Sequence, residues 1–129
     1  TGWADMDPRL FTANADPDVY IVGDCMGPIS DQFGHYPKSG HVANYIGRIV
    51  AGNIAERVQG REVVPLLPDN LCYMLVNGDP REAIAVQFTY ELDQTGKVIQ
   101  TQIDEDVRTT ALMDEDYVWI QGKFADFLA

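Results

Sequence analysis

Residues 19–60 constrain this chain more than any other part of its sequence. They begin with Val-Tyr-Ile-Val at residues 19–22, a short apolar run that is typical of a buried strand. Gly23 and Asp24 follow the run directly. Ligands bind at the carboxyl ends of strands in open α/β sheets, where an Asp accepts hydrogen bonds from ligand hydroxyls. The sequence therefore predicts a buried strand over residues 19–22 that presents Asp24 to a ligand.

A long helix is predicted to begin after Pro37, Lys38 and Ser39. Pro restricts the backbone ahead of the helix, and Ser is a favoured N-cap. Apolar residues then recur at helical spacing and predict the buried face. They are Val42, Ile46, Ile49, Val50, Ile54 and Val58. Small residues line much of the same helix between Gly40 and Ala55, so we expect another element to pack close to its backbone.

These features resemble the second FAD-binding segment of flavoproteins that have two dinucleotide-binding domains. Two strings narrow the resemblance: Pro-Lys-Ser-Gly-His-Val-Ala-Asn at residues 37–44 and Asn-Leu-Cys-Tyr at residues 70–73. Together they are similar to the flavoprotein subunit of flavocytochrome c sulfide dehydrogenase, a relative of sulfide:quinone oxidoreductase. The resemblance covers nearly the whole chain and is looser after residue 85. It implies that this chain is the C-terminal part of a longer enzyme.

The resemblance implies an FAD site around the start of the helix. Its residues are Gly23, Asp24, Pro37, Lys38, Ser39 and Gly40. Asp24 would bind the ribityl chain or a hydroxyl near the phosphates of FAD. The amides at the helix N-terminus, with the Lys38 ammonium, would stabilise the negative charge of a reduced flavin. The alternative is that Asp24 is a turn residue ahead of a capped surface helix.

Cys72 has two interpretations. A single Cys in an apolar strand is usually a small buried hydrophobic residue. In the family that this chain resembles, a Cys in this setting is half of a redox-active disulfide beside the flavin, and sulfide attacks that disulfide. The partner Cys would belong to an upstream domain. Cys25 lies in a loop and is expected to be a bystander, and His35 in the same loop is either an exposed residue or a proton shuttle.

Charge and composition restrict the partners. The chain has 129 residues and a net charge of −11, which disfavours nucleic acid as a partner. No apolar run is long enough to span a membrane, and we assign no metal ligands. The two cysteines do not form a disulfide framework. The resemblance implies a periplasmic parent protein that oxidises sulfide or a related sulfur compound and passes electrons to a c-type cytochrome.

The predicted fold class is α+β. Residues 1–60 are interpreted as the end of an FAD-binding domain, in which residues 1–18 are irregular and either approach the strand or form a poorly ordered terminus. Residues 61–129 are interpreted as a small domain at the flavin interface. We expect an antiparallel sheet there, with strands over residues 72–76, 83–92 and 97–103. A helix over residues 113–128 should cover it.

Side-chain patterns predict the faces of that second domain. In the central strand, the bulky residues Ile84, Val86, Phe88, Tyr90 and Leu92 alternate with smaller or polar ones. In the helix, an apolar stripe consists of Met113, Tyr117, Ile120, Phe124 and Phe127. We expect this stripe to pack on the sheet. An acidic polar side makes the helix a poor match for anionic lipid.

Three functions remain open. The first is the sulfide dehydrogenase described above, in which this chain alone would be inactive. The second is a related flavin disulfide oxidoreductase that uses quinone or another sulfur compound. The third, of a different class, is a domain for oligomerisation or docking with an inert Cys72. Because the strand over residues 19–22 would lack its sheet neighbours, we also expect the chain to self-associate.

Overall fold

The computed structural model describes residues 2–128, without the side chains of residues 104–106 and Phe127. These residues form two sheets and two long helices. The elements are β1 (Thr12–Ala13), β2 (Asp16–Tyr20), α1 (Gly40–Val58), β3 (Asp69–Gly78), β4 (Arg81–Leu92), β5 (Val98–Thr109) and α2 (Ala111–Leu128). A short 3-10 turn also spans Gly23–Cys25. The predicted α+β class, with a small sheet followed by a C-terminal helix, is confirmed.

The chain divides into two compact units. The first contains Thr1–Asn70 and Thr89–Thr101, and the second contains Leu71–Phe88 and Gln102–Ala129. The turn between β4 and β5 therefore belongs to the first unit. The interpretation of residues 1–60 and 61–129 as parts of two different domains stays a prediction.

The strand expected over residues 19–22 lies earlier in the chain, and the prediction that it is buried was wrong. β2 ends at Tyr20 and pairs antiparallel with β1, in a register that joins Thr12 to Tyr20. The chain reverses just before β2, so the strand pairs with its own neighbouring segment and forms a two-stranded sheet. Val19 is consequently 47% exposed. Residues 1–18, predicted to be irregular, also include β1.

Helix α1 begins as predicted. Ser39 is its N-cap, and the Ser39 hydroxyl accepts a hydrogen bond from the Val42 amide at 3.2 Å. The buried face matches the predicted stripe over its first part, which comprises Val42, Ile46, Ile49 and Val50. The stripe stops there, because Ile54 is exposed and Val58 is 82% exposed.

The close packing expected along the small residues of α1 does not extend along the helix. A Cβ placed on Gly47 or Gly52 would meet no described atom within 4 Å. The turn before the helix does approach this face, since a Cβ on Gly23 would lie 4.0 Å from the Cβ of Ala43. The small residues near the start of α1 therefore make room for that turn.

Strands β3, β4 and β5 form the second sheet in that order. Short turns connect the neighbours, so the strands run antiparallel. All three strands are present as predicted, but β3 and β5 are longer than the sequence pattern indicates: they span Asp69–Gly78 and Val98–Thr109. The pattern missed their ends because those ends mix polar and apolar residues without strict alternation.

Helix α2 packs on the small face of β4. Ala83 and Ala85 form a buried cluster with Leu112 of the helix, and the partly buried side chains around it are Leu71, Tyr73 and Met113. Short alanine side chains leave room for the first turn of α2. The stripe predicted for the helix core was wrong beyond that turn, since Tyr117 is 64% exposed and Phe124 is also exposed. The side chain of Phe127, the last member of the stripe, lies outside the described residues.

Neither α1 nor α2 combines the length and the apolar character that a helix needs to cross a lipid bilayer.

Candidate functional site

The turn at Gly23–Cys25 lies against α1 in the first unit. Gly23 has a φ of +77°, in the left-handed region that side chains other than that of Gly rarely adopt. This conformation redirects the chain at the end of residues 19–22. The Gly-Asp pair singled out from the sequence is therefore a tight turn beside the helix.

Asp24 is exposed at this turn. Its carboxylate makes no hydrogen bond or ion pair with the described residues, while its backbone carbonyl accepts one from Lys38. An exposed carboxylate on a fixed turn can accept hydrogen bonds from a ligand without losing a contact in the protein. This part of the predicted site is therefore available for binding.

Lys38 fastens the turn. Its ammonium donates to the backbone carbonyls of Asp24 at 2.6 Å and Met26 at 3.0 Å. It also lies 4.1 Å from the ring centroid of Trp3, at cation–π distance. The sequence assigned this ammonium to the anionic edge of a flavin. Its contacts hold the turn against the start of α1, and its predicted role toward a flavin stays a prediction.

An N-terminal segment, residues 3–6, forms hydrogen bonds with the turn, and we call this segment the strap. The Ala4 amide donates to the Cys25 carbonyl, and the Gly27 amide donates to the Ala4 carbonyl, both at 2.9 Å. A Cβ on Gly27 would lie only 2.4 Å from the Ala4 oxygen, so this approach requires Gly. Of the two interpretations of the terminus, the structure shows the one in which it approaches the Gly-Asp turn.

The first turn of α1 is tied to the start of β3. The Ser39 hydroxyl donates to the side-chain oxygen of Asn70 at 3.1 Å, and Asn70 is fully buried. His41 Nε2 lies 2.9 Å from an Asp69 carboxylate oxygen. Sequence reasoning missed the roles of Asp69 and Asn70. The two pairs are separated by 28 and 31 residues along the chain, and no local pattern indicates such contacts.

Tyr36 anchors the segment that leads into Pro37 and the helix. It is buried, its ring meets that of Tyr90 edge-on with the centroids 4.7 Å apart, and its hydroxyl donates to the Pro8 carbonyl at 3.5 Å. Burial raises the pKa of the Tyr36 hydroxyl well above its usual value, and Tyr90 adds to the shift. The phenol is therefore held in its neutral form.

His35 and Cys25 both make contacts that explain them structurally. His35 Nδ1 donates to the Met26 carbonyl at 3.2 Å, and its ring meets Trp3 with the centroids 5.3 Å apart. The exposed Cys25 thiol donates to the Val22 carbonyl at 3.3 Å. Both residues make contacts within the loop, and the bystander interpretation of Cys25 stays a prediction.

Cys72 belongs to the second unit, whereas the other predicted site residues belong to the first. It is half-buried in β3, between Leu71 and Tyr73, which pack against the Ala83 cluster. Neither Cys25 nor Cys72 forms a disulfide within the described chain. Over the same residues, no group of three or more His, Cys, Asp and Glu side chains is arranged to hold a metal.

The geometry brings together one exposed carboxylate, a capped helix N-terminus and a turn that hydrogen bonds with Lys38 and Ala4 hold in place. Such an arrangement can bind a ligand that carries hydroxyl groups and a partial negative charge. No model of a known protein family matches this chain.

Proposed function

We propose that this chain is the C-terminal part of a periplasmic FAD-dependent sulfide dehydrogenase. In the parent protein, sulfide would be oxidised at a disulfide that includes Cys72, and electrons would pass to a c-type cytochrome. The observation that carries the proposal is the unpartnered carboxylate of Asp24, held on a fixed turn beside the N-terminus of α1. The similarity of residues 37–44 and 70–73 to the family supplies the substrate class.

The residues around this turn fit one part of an FAD molecule. Asp24 would accept hydrogen bonds from cofactor hydroxyls, and amides in the first turn of α1 would face the electron-rich edge of the flavin ring. Gly40 leaves that approach open, because a Cβ there would meet no described atom within 4 Å. Bound FAD would supply two-electron acceptance. Lys38 would act through the backbone, by keeping Asp24 in position.

The remainder of an FAD site would come from outside this chain. A dinucleotide domain grips the pyrophosphate through a glycine-rich turn of the form Gly-x-Gly-x-x-Gly, and this sequence has none. Cys72 likewise needs a second thiol within bonding distance. The proposed activity therefore belongs to the longer parent protein, and we expect this chain alone to be inactive.

The decisive test is the FAD content of the parent protein carrying Asp24→Ala. Loss of one charged hydrogen-bond acceptor should weaken FAD binding by roughly 10- to 100-fold. Asp31→Ala is a matched control, since Asp31 is an exposed carboxylate in the following loop that makes no hydrogen bond or ion pair with the described residues. Equal FAD affinity in wild type and Asp24→Ala would refute the proposed cofactor site.

A docking or oligomerisation domain is the second candidate. It is favoured by the exposed apolar side chains of α2, which include Tyr117, Val118 and Phe124. Alkylation of Cys72 in the parent separates the two functions. A redox cysteine is expected to react rapidly once its disulfide is reduced, whereas an inert structural thiol is expected to react slowly. A quinone could replace the cytochrome as the electron acceptor, which would be a variant of the first proposal.

A further inference from the structure

Helix α2 carries an apolar stripe that becomes exposed along the helix. Its residues follow one another at steps of four, three and four positions, and Phe127 continues this spacing in the sequence. They are Met113, Tyr117, Ile120 and Phe124. Met113 packs at the edge of the Ala83 cluster, whereas Tyr117 is 64% exposed and Phe124 is 60% exposed. The stripe therefore starts at the core of the second unit and continues as a surface in solvent.

The contact of α2 with the sheet lies on a different side of the helix. Leu112 is buried in the Ala83 cluster, and the Trp119 ring meets that of Tyr73 in β3 with the centroids 6.0 Å apart. Tyr117 and Phe124 each lie five positions after one of these two helix residues. Five positions correspond to a rotation of roughly 140° about the helix axis. The packing of α2 on its own sheet therefore leaves the stripe uncovered.

The spacing of the stripe indicates the kind of surface that covers it. Alternating steps of four and three positions repeat every seven residues and form the narrow seam along which one α-helix packs on another. A helix that packs on a sheet or on several elements has a broader apolar face. The stripe, which we call the seam, is therefore suited to a second helix.

Charged residues beside the seam restrict the identity of that helix. Asp116 and Lys123 lie on one side of the seam, each one position before one of its aromatic residues. Asp116 makes no hydrogen bond or ion pair with the described residues, and the Lys123 ammonium lies 6.0 Å from the Trp119 ring centroid, at the outer limit of a cation–π contact. The two charges are seven residues apart, roughly 10 Å along the helix, so they do not pair with each other.

The seam is complementary to a second copy of itself when the two helices run antiparallel. Tyr117 then packs against Ile120 of the second copy. Met113 packs against Phe124 in the same register, so the apolar residues of the two copies alternate along the contact. Each contact occurs twice, because the two copies are related by a two-fold axis. This register is centred between positions 118 and 119.

The flanking charges agree with the antiparallel orientation. Asp116 lies about two residues, or roughly 3 Å along the axis, from Lys123 of the second copy, while the two copies of Asp116 lie roughly 7 Å apart along it. On the other side of the seam, Asp114 lies near the level of the neutral Gln121. A parallel pair would place Asp116 beside Gln121 and Lys123 beside an apolar residue, which pairs no opposite charges.

We propose that α2 binds a second copy of this chain through an antiparallel helix–helix interface formed by the seam. Two symmetric pairs of Asp116 with Lys123 set the orientation. These local pairs favour association although each copy carries a net charge of −11. The interface gives the docking candidate a defined partner and does not involve the flavin site, so its failure would leave the test of Asp24 unaffected.

Sedimentation equilibrium of the chain over a concentration series tests the interface. The wild type should form a discrete dimer. Asp116→Lys and Lys123→Asp each turn two attractive pairs into repulsive ones, so each should weaken dimerisation roughly 5- to 30-fold at low ionic strength. The double variant that combines both changes exchanges the two charges and keeps the net charge. It should dimerise within about 3-fold of the wild type.

Glu115→Lys is the matched control. Glu115 is exposed, precedes Asp116 directly and lies on the side of α2 away from the seam, and its replacement changes the net charge by the same amount as Asp116→Lys. It should not weaken dimerisation, since the chain becomes less negative. Circular dichroism verifies that each variant keeps its helices.

A monomeric wild type, or assemblies that form without a discrete dimer, would overturn the proposal even where a charge variant fails to fold. Equal dimerisation of Asp116→Lys and Glu115→Lys would also overturn it. So would a double variant as weak as the single ones, because a parallel or purely apolar contact does not depend on this exchange of charges.

Discussion

The ammonium of Lys38 donates to the backbone carbonyl of Asp24, 2.6 Å away and 14 residues earlier in the chain. A second bond to the Met26 carbonyl makes the contact a clamp across the turn. The clamp holds main-chain atoms, so it fixes where the Asp24 carboxylate projects without using that carboxylate. Holding a binding group on a rigid support in this way reduces the entropy that a ligand must overcome.

Replacing Lys38 with Met should loosen the turn while leaving α1 intact. We expect faster hydrogen exchange at the amides of Met26 and Gly27, and a loss of about 1 kcal/mol in unfolding free energy, since an exposed ammonium is partly compensated by water. Lys123→Met is the control, because its ammonium lies over Trp119 in the second unit. Unchanged exchange at both amides would contradict the clamp.

The isolated chain should bind FAD weakly or not at all. Asp24 and one helix N-terminus offer a few hydrogen bonds, which must offset the cost of ordering a large flexible cofactor. Fluorescence titration of the chain with FAD measures this directly. A submicromolar dissociation constant would mean that this chain holds far more of the cofactor site than the proposal assigns to it.

In the parent protein, Cys72→Ser should abolish reduction of the flavin by sulfide while leaving FAD bound. Ser is nearly isosteric with Cys, so folding should change little, but it cannot form a disulfide. Cys25→Ser is the matched control and should be close to silent, as the Cys25 thiol donates to the Val22 carbonyl and a Ser hydroxyl can do the same. Stopped-flow measurement of flavin reduction by sulfide distinguishes the two variants. If Cys72→Ser reduced its flavin at the wild-type rate, only the structural interpretation of Cys72 would remain.

Alkaline pH should destabilise the first unit through Tyr36. Burial raises the pKa of its hydroxyl in the folded state above the ordinary value of 10.0. Below pH 10 the hydroxyl is neutral in both states; above it, only the unfolded chain ionises readily, so stability falls as pH rises. Denaturant unfolding between about pH 8 and pH 11, a range that brackets the ordinary phenol pKa, should show this loss of stability in the wild type. Tyr36→Phe should lose less stability over the same range.

The exposed apolar side chains of both units should affect the association state of the isolated chain. We expect the isolated chain to self-associate, since Val19 and Val58 in the first unit and Phe124 in the second present apolar surface to solvent. Light scattering at increasing concentration measures the association. Val58→Lys and Phe124→Lys test which unit is responsible, and a monodisperse monomer at high concentration would contradict the expectation.

Local sequence signals predicted the local structure well. Ser39 caps α1 through its own hydroxyl and the amide of Val42, three residues later, so both partners lie within one recognisable pattern. The helix and the three strands of the second sheet followed from periodicity for the same reason. Each depends on residues that are close in sequence.

Periodicity could not identify the surface that each apolar face contacts. The residues over 19–22 have the composition of a buried strand, yet β2 pairs with the segment immediately before it and leaves Val19 exposed. Tyr117 and Phe124 recur at helical spacing but lie exposed, while the alanines of β4 form the buried cluster with Leu112. An apolar stripe indicates a contact surface, but not whether that surface packs within the chain.

The sequence predicted the turn and the helix cap of the candidate site but not the contacts that hold them in place, and its use as an FAD site stays a prediction. Asp24 and Ser39 follow from turn and cap signals. The clamp by Lys38, the strap from residues 3–6 and the bond from Ser39 to Asn70 join distant parts of the chain. Sequence spacing gives no information on such pairs, so these contacts of Lys38 were not predicted, and its role toward a cofactor stays a prediction.

The contact of Gly27 with Ala4 has a consequence for how this sequence can diverge. With only 2.4 Å between the Ala4 oxygen and a Cβ at position 27, any larger residue there would displace the strap from the turn. Relatives that substitute position 27 should therefore also carry a changed, rerouted or missing segment before β1. Because the contact is with a main-chain oxygen, the residue type at position 4 does not matter, and the linkage would be seen in the length or route of the segment before β1.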